Sequence, residues 1–122
     1  MRLWHHDIIE LLPKSQLLAQ WRELNSIFAK EDRHILINYI YDYPKEHLYT
    51  YTQLVVNEMK NRGFTIRTFD KMNRYFEGID ANKKVDEPFD EHHNDEYFEI
   101  CYFNLKEKYL RGQKDFDKSR FH

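Results

Sequence analysis

An all-α fold is predicted by three observations. Gly and Pro number only three each in 122 residues, far fewer than the frequent turns of a β-sandwich require. Three long stretches place apolar residues at steps of three and four, the helical period. The one β-branched and aromatic run, residues 35–41, has no partner strand in sight, and a lone strand is weak. With 41% hydrophobic residues the chain is long enough for a real core. The expectation is a compact single domain over residues 1–122. It is a bundle of three main helices with a short additional helix and loops.

The elements follow in order. The opening "MRLWHHDIIELL" brings Leu3 and Trp4 at once, where most domains keep a loose polar lead-in. Residues 14–30, "KSQLLAQWRELNSIFAK", carry Leu17, Leu18, Trp21, Leu24, Ile27 and Phe28 as one stripe. Residues 35–41, "ILINYIY", read as a short strand or extended connector. Pro44 suits the first turn of a helix, where no N–H is needed. The run after it puts Leu48, Tyr51, Val55 and Met59 on one face, and Gly63 ends it behind Lys60 and Arg62. Residues 67–77 predict a short helix with Phe69, Met72 and Phe76 inward, and residues 79–94, polar and acidic with Pro88, a surface loop. Residues 95–111 predict the third long helix, with Tyr97, Ile100, Cys101, Leu105 and Tyr109 inside and Gly112 as the stop. The final stretch alternates basic residues with Phe116 and Phe121.

Cys101 is the single cysteine, which excludes an internal disulfide and a cysteine-based zinc site. No apolar stretch has membrane-spanning length and no charged-then-apolar leader precedes a cleavage site, so a cytoplasmic protein with no membrane partner is expected. Net charge is −2 and does not advertise nucleic acid. Its distribution does more. Residues 85–105 hold seven acids and no Lys or Arg, and outside them 19 basic residues face 14 acidic ones. A basic surface with one acidic segment is compatible with that pattern.

Few residues advertise chemistry by pattern alone. The pairs His5-His6 and His92-His93 invite a metal reading, but neighbours on a regular element point apart, and no metal-ligand spacing occurs. The acids of 86–99 do not follow a calcium loop. Cys101 falls on an apolar face and reads as inert. On the first helix Glu23 lies about 130° from the buried direction, beside Gln16, Ser26 and Lys30, with Arg22 on the other flank. By pattern both are surface charges. Neither a metal nor any other cofactor is expected.

"QLLAQWRELNSIF", followed by "RHI", resembles the pyrimidine-dimer DNA glycosylase family, the phage endonuclease V type. The family has Tyr-Arg-Glu-Leu where this chain has "WREL", and the same spacing from its Glu to a His, here Glu23 to His34. "NEMKNRGFTI" is similar to the family's Glu-Cys-Leu-Lys-Arg-Gly-Phe-Asn-Ile. The likeness covers about residues 1–67. It implies a bundle of three main helices and a DNA-repair activity on damaged double-stranded DNA, in two steps: a glycosylase removes the base, and an abasic-site lyase then nicks the strand. It also implies a nucleophile that is the terminal α-amine, here Met1, and an essential carboxylate, here Glu23. Arg2, Arg22, His34 and Gln16 are the implied substrate contacts.

The implied chemistry suits these groups. An α-amine has an intrinsic pKa near 8, against about 10.4 for Lys, so a neutral fraction exists at pH 7. A carboxylate close to the sugar C1′ stabilises positive charge and moves protons. The chain departs from the family in its net charge and at Ser26, which stands where the family has Arg. Fewer phosphate contacts mean weaker binding. The alternative function is a non-enzymatic helical module that binds nucleic acid or protein on the same scaffold. A third reading is a metal-dependent enzyme using His5, His6, His34 and acids. Oligomeric state is not legible, and a monomer is the default.

Overall fold

The computed structural model describes residues 2–31, 33–79 and 85–110. Four α-helices span Lys14–Lys30 (α1), Lys45–Asn61 (α2), Asp70–Tyr75 (α3) and Asp95–Leu110 (α4). The described residues include no strand, so the all-α expectation holds, with three long helices and a short one. Among them no helix is long and apolar enough to cross a membrane. Gly112 and the expected aromatic-basic end, with Phe116, Lys118, Arg120 and Phe121, lie outside the described residues.

α1 occupies the stretch its periodicity predicts. Leu17, Leu24, Ile27 and Phe28 are buried, while Leu18 and Trp21 pack at the edge of the core. α1 packs on both α2 and α3. Pro44 caps α2, and Gly63 follows its end at φ +81°, a backbone conformation that a side chain disfavours. Beside it Arg62 donates to the carbonyls of Leu12 and Glu10 at 2.6 and 3.1 Å and to Glu58 at 2.8 Å. That clamp ties the end of α2 to a 3-10 turn at Ile9–Leu11. In and around α3, Met72 and Phe76 are buried and Phe69 is partly so.

Three expectations need correction. Residues 35–41 form no strand. A turn leads into a 3-10 helix at Asn38–Asp42, with Ile37 and Ile40 buried one 3-10 turn apart. With no partner strand, the backbone satisfies its own N–H groups locally. The segment before α4 is more than a surface loop. Its acids Asp86, Glu87, Asp90 and Glu91 are exposed, but Pro88, Phe89 and His93 are buried. Phe89 is fully buried at φ +59°, among the rings of Tyr39, Tyr43, His47, Tyr51 and His93. Third, Ile100 is 46% exposed. α4 is apolar on most sides, so its periodicity does not choose a face. Its seat is chosen by Tyr97, whose O–H donates to the Leu3 carbonyl at 2.6 Å, and by Phe98, edge-on to His5. Cys101 and Leu105, four and eight residues past Tyr97, are then buried, while Ile100 and Phe103 turn outward.

Candidate active site

Residues 2–4 lie against α1 outside any regular element, and side chains pair their backbone. Trp4 N–H donates to Gln20 Oε1 at 2.9 Å, and Gln20 Nε2 donates to the Arg2 carbonyl at 3.1 Å. The amide of Gln20 thus engages the backbone as a strand would. The Leu3 carbonyl takes the Tyr97 hydroxyl. The Trp4 carbonyl takes the Tyr51 hydroxyl at 2.6 Å, which also lies 3.0 Å from Gln20 Oε1. Tyr51 is completely buried, and burial pushes its phenol well above the ordinary value, so it stays a donor. Leu3 and Trp4 sit in the core at 0% and 6% exposure.

This frame ends on Glu23. Its Oε2 accepts the Arg2 backbone N–H at 3.4 Å and Gln20 Nε2 at 3.2 Å. Glu23 is half-buried, and burial raises its pKa above the ordinary carboxylate value. The Arg2 N–H, the Arg22 charge and the Gln20 amide oppose that rise without cancelling it. The shift favours the protonated form of this carboxyl relative to an exposed one.

Glu23 faces a cavity of about 270 Å³, lined also by Arg2, Trp4, Gln16, Ala19, Gln20, Leu36, Asn104 and Lys108. That is just below the usual range for ligand sites, about 300–1,000 Å³. Two cations, Arg2 and Lys108, border it. The Arg2 guanidinium stands 5.7 Å from the centre of the Trp4 ring, and its Nη1 is buried with no hydrogen-bond partner among the described residues. Buried donors are normally paired, so this one is an exception at the edge of the cavity.

The structure therefore brings together Glu23, Arg2 and Gln16 of the sequence-predicted site residues. Arg22 is exposed and does not line the cavity, although its charge acts on Glu23. His34 is exposed as well. Its carbonyl and Nδ1 accept backbone N–H groups of the turn that follows, from Ile37, Asn38 and Leu36. Met1 lies outside the described residues. Sequence reasoning missed Gln20, Asn104 and Lys108. Only Gln20 left a signal: a polar residue inside the apolar stripe between Leu17 and Leu24.

The histidines also depart from expectation. Because the chain turns at residues 5–8, with Ile8 N–H on the His5 carbonyl at 2.8 Å, the rings of His5 and His6 come within 4.4 Å. His5, His6 and Asp7 each offer one ligand atom within 4.8 Å of the others. The Nδ1 atoms of both histidines already serve internal bonds. Asp7 N–H donates to His5 Nδ1, and His6 Nδ1 meets the Asp7 carboxylate, both at 3.0 Å. His93 bridges this cluster to the core. Its Nδ1 accepts the His6 N–H at 3.3 Å, which leaves Nε2 protonated and facing the Tyr39 oxygen at 2.6 Å.

The fold and site thus define a helical protein with a half-buried carboxyl in a fixed amide frame, beside a cavity bordered by two cations. The chain belongs to the pyrimidine dimer DNA glycosylase family, whose family model matches residues 1–72. The matched part holds the N-terminal segment, α1, α2 and the start of α3, and with them Arg2, Gln16, Gln20 and Glu23. Family membership implies a DNA substrate. Asn104 and Lys108 lie beyond the match. Neither curated proteins nor solved structures give a match to the chain.

Proposed function

We propose that this protein excises damaged pyrimidines from duplex DNA and then nicks the resulting abasic site, using the α-amine of Met1 as nucleophile and Glu23 as the essential carboxylate. The observation that carries the reading is the 3.4 Å contact between the Arg2 backbone N–H and Glu23 Oε2. Covalent geometry keeps the amine of residue 1 within about 4 Å of the Arg2 nitrogen. That short tether supports a reading in which the amine and the carboxylate act on the same sugar.

In this mechanism the neutral amine attacks C1′ of the damaged nucleotide. The C1′–N bond breaks, and the base leaves with the bonding electrons and takes up a proton. The amine loses a proton, its lone pair forms the C1′=N bond as the C1′–O4′ bond breaks, and O4′ takes up a proton, giving a protonated imine. The imine acidifies the C2′ hydrogen, and its removal expels the 3′ phosphate oxygen by β-elimination. Water then releases the amine. Glu23, with its raised pKa, serves the proton transfers and offsets the positive charge that builds at C1′ and nitrogen. Arg2, with its unpaired Nη1, and Gln16 contact the strand inside the cavity. Arg22 and His34 contact it from the rim.

The test is borohydride reduction during reaction with a duplex carrying an abasic site. A covalent adduct that maps to residue 1 is expected, and Glu23→Gln should lower nicking at least about 100-fold. An adduct on a lysine side chain would overturn the nucleophile. One residue added before Met1 should abolish nicking and leave DNA binding in place. Unchanged nicking by that extended protein would sink the amine mechanism.

A further inference from the structure

The turn that follows α1 segregates its aliphatic side chains in two directions. Ile37 and Ile40 are buried, at 0% and 4% exposure, and pin the turn to the core. Ile35 is 86% exposed and Leu36 42%. The tip that carries them is held firmly. The Ile37 and Asn38 N–H groups both donate to the His34 carbonyl at 2.8 Å, and Leu36 N–H donates to His34 Nδ1 at 3.2 Å. Leu36 also lines the cavity that holds Glu23 and Arg2. Single exposed aliphatic residues are ordinary on a protein surface. Two in succession on a pinned turn, Leu36 in the wall of the cavity and Ile35 exposed beside it, make a built feature.

We infer that Ile35 and Leu36 form an apolar wedge that enters the base stack of the DNA substrate and fills the space left by a nucleotide drawn toward Glu23. The inference rests on the proposed reading of the Glu23 cavity. Enzymes that act on a nucleotide inside a duplex must take it out of the stack, and aliphatic side chains pushed between base steps are a general way to hold such an opening. Cations stand on both sides of the wedge, as a duplex requires. Arg33 precedes it, exposed, with its guanidinium 4.5 Å over the Tyr41 ring. Arg2 and Lys108 border the cavity with Leu36. His34 then has a positioning role, since its ring and carbonyl set the direction of the tip.

The test uses a duplex with an abasic site and 2-aminopurine at the neighbouring position, whose fluorescence rises when it leaves the stack. Binding is read with Glu23→Gln, so that no chemistry is needed. At saturation this variant should raise the fluorescence severalfold. Glu23→Gln combined with Ile35→Ser should give less than a quarter of that rise, and Ile35→Leu in place of Ile35→Ser should restore it. Ile35 makes little contact with the core, so the fold is expected to survive, and circular dichroism checks this. An equal rise with Ile35→Ser, or no binding by either protein, would overturn the wedge. Failure of the amine chemistry shows separately, as a missing borohydride adduct with the unsubstituted protein.

Discussion

Gln20 Nε2 lies 3.2 Å from Glu23 Oε2, and the same nitrogen lies 3.1 Å from the Arg2 carbonyl. One buried amide thus sets the carboxylate and the N-terminal segment against each other. Among the described residues, Gln20 supplies one of the two hydrogen bonds to the carboxylate, and the Arg2 backbone supplies the other.

The first prediction concerns that amide. Gln20→Leu would strand the Trp4 N–H and the Arg2 carbonyl away from their partner. Each buried polar group left unpaired costs roughly 1–3 kcal/mol, so urea unfolding should show a loss of about 2 kcal/mol or more. Gln20→Glu tests positioning apart from stability. A second carboxylate beside Glu23 disfavours ionisation of both, and the acid limb of the nicking pH profile should move to higher pH. An unmoved limb would mean that Gln20 serves the fold alone.

Glu23 itself should trade stability for chemistry. Burial raises its folded pKa above the unfolded value. The folded state therefore binds the extra proton, and stability contributed by this site falls as pH rises from about 4.5. Glu23→Gln keeps an acceptor for the Arg2 N–H and removes the charge. Its melting temperature should equal or exceed that of the unsubstituted protein at pH 7, with the advantage shrinking toward pH 4. A strongly destabilised Glu23→Gln protein would count against a half-buried charge held at a cost.

His93 should make the protein acid-labile. Burial, and then the neighbouring His5, His6 and His92, push its pKa down to about 2, against about 6.5 unfolded. Its contribution is complete above the unfolded value and is lost as pH falls below it, because the unfolded chain takes up the proton first. The expected slope is roughly 1.4 kcal/mol per pH unit below pH 6.5. Burial lowers the pKa of His5 too, which adds in the same direction. His93→Gln should flatten the dependence between pH 6.5 and 5 in denaturant titrations, although it lowers stability at pH 7. An unchanged slope would place the acid sensitivity elsewhere.

Periodicity located α1 to the residue and bounded α2 by its Pro and Gly, because those helices bury one face each. α4 escaped that logic. It is apolar on most sides, and Tyr97 and Phe98 choose its buried face through contacts with Leu3 and His5, about ninety residues away. Phe89 was unreadable for a similar reason: one aromatic residue among acids gives no period, yet it fills the space between five rings. Glu23 read as a surface charge by angle alone. The helical wheel contains no N-terminal segment, and it is that segment that half-buries the carboxylate and supplies its hydrogen bond. The likeness of "WREL" to the family motif drew attention to Glu23, and Gln20, in plain view on the apolar stripe, explains how it is held.

The last prediction separates two cations that border the same cavity. Arg2 lies within the family match and Lys108 beyond it. Arg2 Nη1 is buried without a partner among the described residues, and a phosphate that reached it would form a strong charge-assisted bond. Arg2→Gln should weaken duplex binding and lower the slope of log affinity against log salt by about 0.9, the value for one phosphate contact. It should leave stability nearly unchanged, since no hydrogen bond of that guanidinium nitrogen is lost. Lys108→Gln should lower the slope by a similar amount if the strand crosses the cavity from α1 to α4. A full effect for Arg2 with none for Lys108 would instead run the strand along α1 alone, past Arg22 and toward the Ile35 turn. Salt titrations of the two variants and of the double variant, read on the same duplex, decide between these paths.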